Sequence, residues 1–196
     1  MKPASSLLGP AAATLAILAL AACNSSSATR LSYVDTNPGY SRSIVQYASS
    51  GVAMPLEVRG ATPGIPARTI AAGMRLPGWF EPKPFALGPV EGAPSGNYRV
   101  VMVINPDRPV GAKRVCGNAA SIGTAPGTEL KLQAAFCAGD EALSQATAFA
   151  PNTQAGTAEF QDMLNQMTLA LFPPRNPIFD DDRRPNRLRI GGFING

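Results

Sequence analysis

The chain has 196 residues, with 17 Lys and Arg against 13 Asp and Glu, no His and 15% charged residues. Without histidine, Ser-His-Asp and Cys-His nucleophilic arrangements and H-E-x-x-H zinc sites are excluded. Most of the net charge of +4 resides at the two ends, because residues 23–174 hold eleven Lys and Arg against ten Asp and Glu. No basic face is left for nucleic acid.

The chain opens with Lys2 and an apolar run, Ala11 to Ala22, interrupted only by Thr14. A positive start, a short apolar core and small residues at its end are the marks of a secretory signal. The run is too short to span a bilayer, which takes about 20 residues. Ala19-Leu20-Ala21 fits ordinary cleavage, whereas Leu20-Ala21-Ala22-Cys23 resembles the lipobox of bacterial lipoprotein precursors. The resemblance implies a diacylglycerol thioether on Cys23, cleavage before it and acylation of the new amine. It also implies sorting by the next residue, and Asn24 points to the periplasmic face of the outer membrane. Each buried methylene is worth about 0.8 kcal/mol, so two or three chains anchor a protein stably.

Asn24 to Arg30 is polar and Ser-rich and reads as a tether. Tyr33 to Tyr40 reads as irregular, ending in a Pro-Gly turn. Ser43-Ile44-Val45-Gln46-Tyr47 reads as a strand, and so does Val52 to Val58, with Pro55 confining it to an edge or breaking it. Pro66 to Met74 predicts a short helix, with Ala67, Ile70, Ala71 and Met74 at helical spacing. Residues 76–96 read as a long loop whose aromatics Trp79, Phe80 and Phe85 pack onto the core or line a cleft.

Tyr98 to Ile104 is β-branched and almost continuously apolar, the pattern of a strand buried on both faces. Glu129 to Cys137 alternates, with Leu130, Leu132, Ala134 and Phe136 on one side. Cys116 falls in the Gly-rich connection between these two strands. Ala142 to Phe149 reads as a further strand or a helical turn, with strand preferred. Ala158 to Phe172 predicts a helix capped by Thr157, with Glu159 in its first turn and Phe160, Met163, Leu164, Met167 and Leu171 on one stripe. Pro173-Pro174 ends it.

These elements predict an α+β fold: an antiparallel sheet of about four to five strands against one long C-terminal helix and one short helix. The expected organisation is a signal peptide over 1–22, a lipidated tether over 23–31, one domain over 32–174 and a flexible tail over 175–196. With Cys23 lipidated, Cys116 and Cys137 form an even pair in an oxidising compartment and read as a disulfide. Two thiolates without histidine fill half a zinc shell, so neither a metal nor another cofactor is expected.

Other groups able to do chemistry are few. Asp180-Asp181-Asp182 lacks the spacing of a calcium loop. Arg183, Arg184, Arg187 and Arg189 are interleaved with acids, and Ile190 to Ile194 has the makings of an added edge strand. Glu159 and Asp162 fall on the polar side of the last helix. The candidate surface site is Trp79 and Phe80 with Asp140 and Glu141. The sequence therefore points to a lipid-anchored envelope protein that binds or supports and does not catalyse. Its expected partners are the membrane, through its anchor, and an envelope protein or the cell wall. The alternative is a carboxylate-dependent enzyme on glycan or cell-wall material.

Overall fold

A computed structural model describes residues 29–60, 64–125, 127, 129–151 and 153–181. The expected signal, Cys23, Asp182 and the arginines beyond it lie outside the described residues. The chain forms β1 (Arg30–Thr36), α1 (Arg42–Ala48), β2 (Met54–Arg59), α2 (Ala67–Gly73), β3 (Phe85–Leu87), β4 (Tyr98–Ile104), α3 (Ala112–Asn118), β5 (Glu129–Ala138), β6 (Glu141–Pro151), α4 (Ala158–Leu171) and α5 (Pro177–Asp181). The six strands make one sheet in the order β1-β6-β5-β4-β2-β3. The fold is α+β as expected, but the sheet is mixed. β1, β6, β5 and β4 run antiparallel, whereas β2 is parallel to both β4 and β3.

The long β5–β6 hairpin organises the sheet. Its two-residue turn is Gly139-Asp140, and Gly139 sits at φ +58°, which a residue without Cβ adopts at no steric cost. Alternation then sorts the two faces. Leu130, Leu132, Ala134 and Phe136 of β5 join Ala146, Ala148 and Ala150 of β6 in the main core, with Val100 and Met102 of β4. Onto this face pack Val45 and Ala48 of α1, Ile70 of α2 and the apolar stripe of α4. The α4 cap is as expected: Thr157 Oγ1 accepts from the Phe160 amide at 3.2 Å. The alanine row on β6 lets α4 come close to the sheet, and it buries Met163, Leu164 and Met167 completely.

Four readings of the sequence are corrected. Ser43 to Tyr47 is helical in α1, because Ser41 caps it by accepting from the Ile44 amide at 3.3 Å, and Val45 and Ala48 then share the buried side. Tyr33 to Thr36 is strand, and β1 already begins inside the supposed tether, at Arg30. The connection carrying Cys116 contains α3, which covers part of the second sheet face through Val115 and Cys116 against Val101, Val103, Ala135 and Cys137. Helices therefore lie on both faces. Finally, the fold continues past Pro174: Asn176 is buried, and its Nδ2 donates to the carbonyls of Asn37 at 2.9 Å and Tyr40 at 3.1 Å before α5 starts.

Pro55 proves compatible with an inner strand. β2 meets β4 only from Leu56 onward, and its bonds to the β3 side come from the Met54 amide and the Leu56 carbonyl. The missing proline donor costs no ladder bond there. Gly60 closes β2 at φ +82°, where a Cβ would stand 2.5 Å from the Ile104 carbonyl oxygen.

Candidate functional site

The second sheet face is only half covered. α3 is fixed over β4, β5 and the Ala142 end of β6, and the β1 edge is left open. Three attachments hold α3 and the segment leading into it. The Cys116 and Cys137 sulfurs are at bonding distance, with Cα atoms 5.6 Å apart. Arg99 donates to the Cys116 carbonyl at 2.6 Å and to the Gly139 carbonyl at 3.0 Å. Buried Gln133 donates to the Val110 carbonyl.

Between this wall and the open floor run two adjoining hollows. One, of about 700 Å³, has Asp35, Lys113, Asp140 and Glu141 around it. The other, of about 340 Å³, has Tyr33, Val110, Lys131 and Phe149 around it. Gln145 lines both, so the two form one cleft along the sheet. Register explains the floor. Asp35 lies opposite Gln145, Tyr33 opposite Thr147 and Arg30 opposite Phe149, all on the face that α4 does not touch.

Asp35 is the central polar group. Its Oδ2 accepts from Tyr33 Oη at 3.3 Å and from Gln145 Nε2 at 3.4 Å, and its Oδ1 accepts from the Thr36 amide at 2.9 Å. At one end Asn37 Nδ2 donates to Glu141 Oε1 at 3.2 Å. At the other, Arg30 and Lys131 stand 5.8 and 5.5 Å from the Phe149 ring centre, and Arg30 pairs with Glu129 at 2.8 Å. Charge thus changes along the cleft, from carboxylates near the β5–β6 turn to cations near the start of β1.

The structure brings Asp140 and Glu141 together in this cleft but does not bring Trp79 and Phe80 to them. Trp79 Nε1 donates to the Phe172 carbonyl at 2.9 Å. Phe80 is buried with Phe85 against Phe172, at ring separations of 6.5 and 6.2 Å. The aromatic loop is core here. Sequence reasoning missed Asp35, Tyr33 and Gln145. The alternation Tyr33-Val34-Asp35 was the available signal, obscured by the Pro-Gly turn that follows.

A second groove, of about 760 Å³, lies over β2 and β4 beside Leu87 and Tyr98. Its charges already have partners: Glu57 meets Arg99 at 3.3 Å and Arg59 at 2.7 Å. Among the described residues no helix is long and apolar enough to cross a membrane, and no group of three or more acidic or cysteine side chains is placed to hold a metal. No protein-family model, curated protein or solved structure matches the chain.

Proposed function

We propose that this is an exported domain, anchored at the cell envelope by lipid on Cys23, that works by binding a partner in the cleft between α3 and the sheet. The pairing of Cys116 with Cys137 carries the reading. Both are buried, and joining them accounts for two of the chain's three cysteines and leaves Cys23 for modification. A bond of this kind persists in oxidising compartments outside the cytoplasm. The resemblance of Leu20-Ala21-Ala22-Cys23 to a lipobox supports the anchor, and Asn24 favours the periplasmic face of the outer membrane. The cleft supports the binding role, because its wall is fastened and its floor carries convergent polar groups.

The test is fractionation of cells making the wild type and Cys23→Ala. The wild type is expected in membranes with fatty-acid mass on its first residue, and the variant in the soluble exported fraction. Equal membrane retention of both would overturn the anchor. A second reading, carboxylate-dependent glycan cleavage, draws on Asp140 and Glu141 sharing the cleft with Asp35. It predicts release of reducing ends from an oligosaccharide, abolished by Asp140→Asn or Glu141→Gln.

A further inference from the structure

The cleft's floor narrows the chemistry of what it holds. We infer that the cleft binds a neutral glycan chain, with one sugar face on the exposed Tyr33 ring and sugar hydroxyls on Asp35 and Gln145. This inference rests on the binding reading above and gives it a ligand class.

Tyr33 is half exposed, and its hydroxyl bonds to Asp35 in the same row of the floor, so the ring ends at a planar carboxylate that a planar amide also meets. Pyranoses present that combination in reverse: an apolar C–H face that packs on an aromatic ring, and neighbouring hydroxyls that donate and accept around a planar group. Both bonds that tie Asp35 Oδ2 to its neighbours are long, at 3.3 and 3.4 Å, so an arriving hydroxyl can replace either at little loss. Phe149 lies farther along the same face, diagonal to Tyr33 through the Tyr33–Thr147 and Arg30–Phe149 pairings. Arg30 and Lys131 stand over its ring, so the sugar-stacking face in this cleft is that of Tyr33.

Other ligands fit the floor less well. An extended peptide needs backbone partners, and those are at the outer edge of β1, while the floor presents side chains alone. An anionic polymer meets Asp35, Asp140 and Glu141 at one end of the cleft, and at the other Arg30 is already paired with Glu129 and both Arg30 and Lys131 are engaged with the Phe149 ring. A hydrocarbon chain would strip water from the Asp35 carboxylate and the Gln145 amide without replacing their bonds.

Calorimetric titration of the full mature chain in detergent, with chitotetraose and with cellotetraose, tests this. Saturable binding of at least one is expected. Tyr33→Ala should weaken it about tenfold, Tyr33→Phe should preserve it, and Gln145→Ala and Asp35→Asn should each weaken it by a comparable factor. Thermal melts identify any variant that has lost its fold, and the surviving substitutions then decide. Failure of both saccharides to bind, unchanged affinity in Tyr33→Ala and Gln145→Ala, or binding of an oligolysine peptide in their place would each overturn it. Cys23→Ala is expected to bind as the wild type does, so a failed anchor and a failed glycan site give different results.

Discussion

Replacing Cys116 and Cys137 together by alanine removes the covalent attachment of α3 to the sheet. The two residues are 21 apart in sequence, and closing a loop of that length restricts the unfolded chain by about 3 kcal/mol in the chain-entropy picture. Both sulfurs are fully buried among Val101, Val103 and Ala135, so their loss adds a packing deficit of about 1 kcal/mol. The total of about 4 kcal/mol corresponds to a fall of roughly 10–15 °C in the melting midpoint of a domain this size. Circular dichroism melts of the wild type and the double variant measure it. Hydrogen exchange should locate the earliest added opening in α3. Reduction of the wild type should reproduce most of the shift, because the sulfurs then remain in place. A loss below about 1 kcal/mol would refute the reasoning and leave Arg99 and the apolar contacts of Val115 as what holds the layer.

Three further outcomes follow from particular side chains. Asn176→Ala leaves the Asn37 and Tyr40 carbonyls without their side-chain donor, and urea denaturation should show a loss of about 2 kcal/mol; no change would return residues 175–181 to the status of a tail. Thr36 Oγ1 is buried with no hydrogen-bond partner, so Thr36→Val should stabilise by about 1 kcal/mol, and a lower urea midpoint would contradict that. Burial pushes the Tyr40 hydroxyl pKa up from its ordinary 10.0. The folded value then exceeds the unfolded one, so this contribution is whole below pH 10 and is lost as pH rises beyond it. Tyr40→Phe should cost about 1 kcal/mol at neutral pH, through the lost 2.7 Å bond to Pro173, and should flatten the alkaline decline in urea stability; identical decline in both proteins would refute it.

Much of the fold was legible wherever one periodicity ran long enough. β4 matches its predicted span of Tyr98 to Ile104, and β5, β6 and α4 fall within a few residues of theirs. What escaped was short or depended on distant partners. In α1, Ile44 and Val45 argue for a strand, and the Ser41 cap together with burial of Val45 and Ala48 overrides them. α3 begins after Gly111 and contains Gly117, which disguised seven helical residues as a loop. The parallel setting of β2 leaves no local trace, since it arises from a crossover through residues on either side of α2. For the site, Asp140 and Glu141 are legible as adjacent acids directly after the strand that ends at Cys137. Asp35 and Tyr33 gain meaning only once β1 is paired with β6, which places them beside Gln145.

The alanine row beneath α4 has a consequence for how this molecule tolerates change. Ala146, Ala148 and Ala150 are already fully enclosed, and only glycine is smaller, so the strand side of that contact has almost no freedom to vary in size. The helix side differs, because Met163 and Met167 are unbranched and deformable and can reshape around a misfit. Sequence drift at this seam should therefore accumulate on the helix while the strand stays nearly invariant.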